Sequence, residues 1–261
     1  MATYISYLIY VLSALLLILP CYLLWRIKSL LVRTYIVSML RLAVQLVLVG
    51  VYMKWLFVCN SLWIDLLWLV VMSVIVSVII AGKAGLRLGK IALPVISGVV
   101  TSVTVIGIYV LFLLFNGSSV FDARYVIPVA GILLGCVQRI SSIALEEYFH
   151  SLANEGQLYE YLLGNGATHM EAVLPFVRRA VEKALKPTLS HLSVAGIVTF
   201  PGLFLGQLLG GINPFNAALN TVCIFAASAF AAMASVLLAL FVADRGTFDC
   251  YGRMRRVLRK K

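Results

Sequence analysis

Seven apolar runs in this 261-residue chain are each long enough to cross a lipid bilayer as a helix. A hydrocarbon core about 30 Å thick requires about 20 apolar residues of helix. The runs are Tyr4–Trp25, Thr34–Phe57, Leu62–Ala81, Ile91–Phe115, Tyr125–Phe149, Thr188–Gly210 and Phe215–Ala243. Only 12% of the residues are charged and the mean hydropathy is +1.04. We therefore predict an all-α, polytopic membrane protein with one transmembrane domain over residues 1–261.

The basic residues alternate between the two sides of this predicted topology. Of the 21 Lys and Arg residues, 17 lie in the first, third and fifth loops and the C-terminal tail, whereas the second and fourth loops hold only Lys54 and Arg124. Positive charge concentrates on the cytoplasmic side of membrane proteins. We expect a plasma-membrane protein with its N-terminus outside and its C-terminus in the cytoplasm. Because this pattern explains the net charge of +11, we expect no nucleic-acid partner.

The long fifth loop, residues 150–187, is predicted to fold as a helix, a turn and a second helix on the cytoplasmic side. The segment Gly164–Thr168 has the composition of a turn, and Thr168 with Glu171 three residues later fits a helix N-cap. Apolar residues then recur at helical spacing: Ala172, Val173, Phe176, Val177, Ala180, Val181, Ala184 and Leu185. Such an element suits a permease that receives force from a motor protein.

The sequence lacks the signatures of an enzyme. It contains no GxSxG or HExxH motif and no paired carboxylates within a span, and Gly85–Lys90 has the wrong spacing for a phosphate-binding loop. Its five cysteines are widely separated, so we expect neither disulfides nor a zinc site. We expect no enzymatic activity and no bound cofactor, with any ATP hydrolysis on a separate chain.

Polar residues inside the spans are costly in lipid and therefore informative. Arg41 and Gln45 share one face of the second span, where they could serve helix packing or line a pathway. Gln138 and Arg139 lie deep in the fifth span and are expected to face the bundle interior or a water-filled cavity. The spans hold no chain of Asp, Glu and His residues, which disfavours a proton-coupled transporter.

Proline and glycine interrupt two of the predicted spans. Pro128 and Gly131 lie in the fifth, and Pro201–Gly202 interrupts the sixth. Gly202 begins a stripe of glycines four residues apart, continued by Gly206 and Gly210, which suits close helix packing. A break at Pro201 could be a packing kink or part of the translocation path. Cys136 and His191 are expected to be ordinary packing and helix-end residues.

Four stretches resemble the permease subunits of the Fet-type iron-export ABC transporters, whose plant relatives are half-size permeases linked to aluminium tolerance and UDP-glucose transport. These stretches are Arg41–Gly50, Val126–Gly131, Gly166–Thr168 with Pro187–Thr188, and Phe200–Gln207 with Gly211–Pro214. The chain departs from the family pattern at Cys136–Arg139, where the family usually has Asn followed by apolar residues. It also has Leu203–Phe204 in place of a Met pair.

The resemblance implies roles for particular residues. Glu160 and Gly166 have the spacing of the coupling motif that docks into an ABC ATPase. The implied coupling residues are Glu160, Gly164, Gly166, Ala167 and Thr168. The implied residues of the translocation path or helix packing are Arg41, Gln45, Pro128, Gly131, Gln138, Arg139, Pro201, Gly202, Gly206 and Gln207.

The resemblance also implies partners and a substrate. It implies a separate ATPase subunit that carries ATP and Mg²⁺, a permease homodimer, and export of iron or another metal cation. The alternatives are an ABC permease for a nucleotide sugar such as UDP-glucose, or an ATP-independent carrier or channel. A carrier would require buried acids or an ion-binding break in both halves of a repeat, and the sequence has neither.

Overall fold

The structure, a computed structural model, describes residues 18–59, 61–85, 88–114 and 122–247. The chain forms two compact units, Met1–Cys59 and Asn60–Lys261. In the first unit, helix α1 covers residues 18–26 and helix α2 covers Leu31–Cys59. Most side chains of α2 are exposed, as expected of an apolar helix whose neighbours are lipid or other protein chains, although Leu56 near its end is buried.

The second unit is a helical bundle. Its helices are α3 (Leu62–Lys83), α4 (Leu88–Leu114), α5 (Ala123–Asn154), α6 (Gly156–Gly164), α7 (His169–Val194), α8 (Gly202–Leu209) and α9 (Pro214–Thr247). Helices α4, α5 and α9 form its centre, and α3 and α7 pack against α5. Fully buried side chains such as Val99, Leu133, Phe149 and Phe176 fill the space between them. Their contacts hold the bundle together by dispersion and close packing.

Helices α4 and α9 approach each other closely at Gly98. A Cβ atom added at this residue would lie 2.8 Å from the carbonyl oxygen of Ser235 and 2.9 Å from the backbone nitrogen of Ala239. Only a glycine fits between two backbones at such separations, which is a common device in membrane helix packing. The glycine therefore sets how closely the two central helices pack.

Five of the described helices are long and apolar enough to span a membrane. They contain Leu31–Phe57, Trp63–Lys83, Ala92–Leu114, Ala123–Asn154 and Pro214–Asp244. These segments match the predicted second, third, fourth, fifth and seventh spans, and they confirm the all-α polytopic fold. Most of the predicted first span, Tyr4–Trp25, lies outside the described residues. The count of seven stays a prediction.

The predicted sixth span, Thr188–Gly210, is not one continuous helix. Helix α7 ends at Val194, residues 195–201 are irregular, and the eight-residue helix α8 follows. The interruption was predicted near Pro201 but begins earlier, because Gly196 adopts a φ of +93° that a helix cannot contain. Its backbone N–H donates to the carbonyl of Thr199 at 2.8 Å and closes a tight turn.

The helix preceding this break is longer than expected. The predicted boundary between the fifth loop and the sixth span fell at Pro187, but α7 runs through this residue to Val194. A proline inside a helix removes one N–H donor and bends the helix without always ending it. One helix therefore joins the helix-turn-helix to the irregular segment.

Candidate functional site

The fifth loop folds as the predicted helix-turn-helix. Helix α6 ends at Gly164, and Gly166 adopts a φ of +88° in the turn. Thr168 caps α7 through a full capping box. Its hydroxyl accepts from the backbone N–H of Glu171, and the Glu171 carboxylate accepts from the backbone N–H of Thr168 at 2.8 Å. The predicted N-cap is confirmed, and it fixes where the second helix begins.

The predicted apolar face of α7 is its buried face. Ala172, Val173, Phe176, Ala180 and Ala184 are all buried in the bundle core. These five positions repeat every three or four residues, so they lie on one side of the helix. The structure therefore confirms the amphipathic pattern in the second half of the loop.

Ion pairs beside this buried face link α7 to α5 and to the residue that caps its C-terminus. Arg179 contacts Glu155, and Lys183 contacts Glu147. The predicted pair between Arg178 and Glu182 is also present, with a nitrogen–oxygen distance of 2.9 Å, but it lies within α7. Exposed pairs contribute little stability individually. The pair with Glu147 in α5, the pair with its C-cap residue Glu155 and the buried apolar face make α5 and α7 one packing unit.

A hydrogen-bonded chain joins the helix-turn-helix to the end of α9. The Tyr159 hydroxyl lies 2.8 Å from Nδ1 of His169, and His169 Nε2 lies 2.8 Å from a carboxylate oxygen of Asp244. Burial, followed by the nearby Asp244 carboxylate, raises the pKa of Tyr159. The phenol therefore stays protonated and can donate to Nδ1, while Nε2–H donates to the carboxylate. The sequence analysis did not identify this chain.

The predicted coupling residues surround the tip of the helix-turn-helix. Glu160 is exposed on α6, Gly164 is its last helical residue, and Gly166 lies in the turn. Ala167 is half-buried, and Thr168 is the exposed N-cap. The structure thus brings these five residues together on a surface at one end of the second unit. Their role in coupling stays a prediction.

A polar cavity of about 720 Å³ lies between α3, α5, α7 and α9. Its lining includes basic, acidic and hydroxyl side chains in an otherwise apolar bundle. The polar lining residues are Lys83, Gln138, Arg139, Ser142, Glu146, Thr188, His191 and Ser228. Cavities of this size and mixed lining are typical of sites that take small molecules. This cavity is the candidate transport site.

One face of α5 supplies most of the cavity wall. Gly135, Arg139, Ser142 and Glu146 follow each other at spacings of three or four residues and so form a stripe along the helix. Gly135 has open space where a side chain would be. Arg139 makes no hydrogen bond or ion pair with any other described residue. Glu146 lies seven residues further along, about 10 Å by the helical rise, so it does not neutralise Arg139 directly.

A second, more apolar cavity of about 470 Å³ lies beside the irregular segment. Pro201 lines it together with Gly196, Phe200 and Phe204. The rings of Phe200 and Phe204 stack with their centroids 6.0 Å apart. The break in the sixth predicted span therefore shapes a cavity wall as well as ending a helix.

The remaining predicted site residues lie elsewhere. Gln207 bonds to Asn220 at 3.2 Å and to Thr221 at 3.4 Å, which attaches α8 to α9. Arg41 and Gln45 are exposed on α2 in the first unit.

Helices α5 and α8 carry the other four predicted path residues. Pro128 and Gly131 lie in the first half of α5 and do not line the polar cavity. Gly202 and Gly206 belong to α8, and no atom lies within 4 Å of where their Cβ atoms would be. The predicted glycine stripe therefore has no packing partner among the described residues of this chain.

Cys136 and His191, which were expected to be packing residues, both line the polar cavity. Across the described part of the chain, no group of three or more His, Cys, Asp and Glu residues is positioned to hold a metal ion. Lys83, counted among the loop charges in the sequence, is also part of the cavity wall.

The long apolar helices and the broken sixth segment define an all-α polytopic membrane protein. A family model described as "Uncharacterised protein family (UPF0014)" matches residues 7–248. The chain belongs to this family, which confirms the family resemblance stated from its motifs.

Several family members are similar over most of the chain. The UPF0014 membrane protein slr1647 of Synechocystis is 28% identical over 70% of this chain and 71% of its own length. Protein ALUMINUM SENSITIVE 3 of Arabidopsis thaliana is 31% identical over 70% of this chain and 65% of its own length. The probable iron export permease protein FetB of Escherichia coli is 28% identical over 68% of this chain and 67% of its own length. No solved structure matches the chain significantly.

Proposed function

We propose that this chain is the membrane-spanning permease subunit of an ABC transporter. The observation that carries the proposal is the capped helix-turn-helix, attached to both α5 and α9 by polar contacts. Its exposed tip is formed by the residues that resemble an ATPase-docking motif. Motion at the tip would therefore reach two membrane helices directly.

The nucleotide chemistry belongs to a separate subunit in this proposal. ATP and Mg²⁺ bind to the ATPase, and the permease contributes no catalytic residue. The helix-turn-helix faces the cytoplasm, as the distribution of basic loops predicts, with the N-terminus outside the cell. The proposed location is the plasma membrane.

Two permease copies form the transmembrane pathway in this proposal. The irregular residues 195–201 are mostly exposed on the surface of the second unit, and Ile197 exposes 86% of its surface. Lipid does not satisfy the hydrogen-bonding groups of irregular backbone, so such a segment must contact protein or a water-filled cavity. The unpacked glycines Gly202 and Gly206 lie next to it. Both observations support a second copy against this surface.

The proposed substrate is iron or another metal cation, because the relative in Escherichia coli is a probable iron export permease. A second candidate is a nucleotide sugar. The basic side chains Lys83 and Arg139 in the polar cavity favour this second candidate, because they attract phosphate groups.

The test is the ATPase activity of the complex between this chain and its candidate ATPase, reconstituted in lipid with and without Fe²⁺. We expect stimulation that requires both subunits. Glu160→Lys should abolish it by reversing the charge at the docking surface, and Gly166→Val should do so because a β-branched residue does not tolerate the +88° φ of the turn. Asp244→Asn should retain the complex but reduce stimulation, because it weakens the contact with His169.

Lys186→Gln is the matched control, because this exposed residue on α7 lies away from the tip. All variants should insert into membranes at wild-type levels. Full stimulation of both Glu160→Lys and Gly166→Val would refute the coupling role of the helix-turn-helix. Stimulation that ignores Fe²⁺ would retain the permease and exclude the bare Fe²⁺ ion as substrate.

A further inference from the structure

The polar cavity is half open, and its charged lining residues, which are exposed in this chain, have an excess of positive charge. The basic side chains Lys83 and Arg139 outnumber the one carboxylate of the lining, Glu146. Neither cation makes a hydrogen bond or ion pair with another described residue. The cavity therefore repels a bare cation and attracts a negatively charged group.

Arg139 lies inside the predicted fifth span, Tyr125–Phe149, about 15 Å by the helical rise from its inner end. It lies at the middle of the 32-residue α5, about 24 Å along the axis from Ala123 and about 22 Å from Asn154. An arginine at the centre of a membrane helix costs about 3 kcal/mol even on the most lenient scale. A buried or membrane-embedded charge is retained where it has a partner or a function.

Other polar groups of the cavity complement such a partner. The Gln138 side chain and the Thr188 hydroxyl can donate hydrogen bonds, and the small Gly135 and Cys136 leave space beside Arg139. A guanidinium presents donors in a planar fork that matches a carboxylate or a phosphate. The geometry is that of a site for an anionic oxygen group, and the 720 Å³ volume accommodates more than a single ion.

We infer that this cavity binds a substrate through a carboxylate or phosphate group, with Arg139 as the main contact and Lys83 and His191 as supporting contacts. This inference rests on the proposed function, because it takes the molecule bound in the cavity to be the transported substrate. A metal would then be exported as an anionic chelate instead of a bare ion. A nucleotide sugar would satisfy the same site through its diphosphate.

The test is direct binding to the purified full chain in lipid nanodiscs without any ATPase, measured by titration calorimetry. The probes are citrate, ferric citrate, UDP-glucose and Fe²⁺ alone. We expect binding of at least one anionic probe and none of Fe²⁺ alone. Arg139→Gln should weaken anion binding about tenfold or more, because it removes a charge-assisted hydrogen bond. Folding should be retained, because the substitution leaves no other described residue without a partner.

Two further variants distinguish a specific site from general charge. Gly135→Leu should block the cavity and abolish binding, whereas Arg178→Gln should leave it unchanged, because Arg178 is exposed on α7 outside the cavity. Preference for ferric citrate identifies a chelate, and preference for UDP-glucose identifies a nucleotide sugar. Binding of Fe²⁺ that persists in Arg139→Gln, or no binding of any anionic probe, would overturn the inference. Because no ATPase is present in the binding assay, its result does not depend on whether the earlier experiment finds coupling to an ATPase.

Discussion

The close approach of α4 and α9 gives a prediction whose magnitude can be worked from distances. In Gly98→Ala, the new Cβ would lie 2.8 Å from the Ser235 carbonyl oxygen, whereas ordinary contacts begin at 3.4 Å. The two backbones must separate by about 0.6 Å, and neither neighbour is a flexible side chain that could rotate away. Overpacking of this kind costs about 1–3 kcal/mol.

Gly107→Ala on the same helix is the matched control. Its new Cβ would lie 3.6 Å from the Cδ1 atom of Leu133, an ordinary contact. Both substitutions gain about 1 kcal/mol of helix propensity, which cancels when the two variants are compared. We expect Gly98→Ala to unfold with a free energy about 1–3 kcal/mol lower than Gly107→Ala. The measurement is reversible unfolding by SDS in mixed micelles, followed by circular dichroism. Equal stability of the two variants would refute the reasoning.

Two further predictions concern the helix-turn-helix and the irregular segment. Thr168→Ala should destabilise the protein by about 1 kcal/mol at neutral pH, measured by the same unfolding assay. Hydrogen bonds from the backbone and hydroxyl of Thr168 lower the pKa of Glu171 from its ordinary value, so the stabilisation from the ionised carboxylate is full above that value and is lost as the pH falls through the lowered pKa. A stability difference between the wild type and Thr168→Ala that stays constant as the pH is lowered from neutrality until the protein unfolds would contradict this. In a background without the five native cysteines, Ile197→Cys should cross-link two copies in membranes, whereas Leu93→Cys, at a residue of α4 that is 76% exposed, should not.

Features that depend on near neighbours in sequence were predictable. The capping box of Thr168 and Glu171 spans three residues, and the amphipathic face of α7 follows a simple helical period. The break in the sixth predicted span was also visible, because Pro201–Gly202 cannot continue a helix. The residue at which the break begins was not predictable, because nothing in the sequence around Gly196 indicates its positive φ.

Features that depend on distant residues were not predictable. His169 and Asp244 are 75 residues apart in the chain but share a hydrogen bond. The sequence placed Lys83 in a basic loop, and only the packing of α3 against α5 brings it to the cavity wall beside Arg139. One sequence without an alignment carries no record of such pairs, so the cavity and its charge emerged only with the tertiary structure.

Helix α7 physically connects the two parts of the candidate site. It begins at the capped tip beside Thr168, and about 33 Å further along, by the helical rise, His191 lines the polar cavity. Arg179 and Lys183 of α7 pair with the C-cap residue of α5 and with α5 itself. Helix α5, the cavity wall that carries Arg139, should therefore move together with α7.

The irregular residues 195–201 begin immediately after α7 and are the first place where the backbone can change direction. A displacement at the tip would therefore move two walls of the cavity together and be absorbed at this segment. Under the proposed function, docking of an ATPase alters the site that holds the anion without any additional moving part.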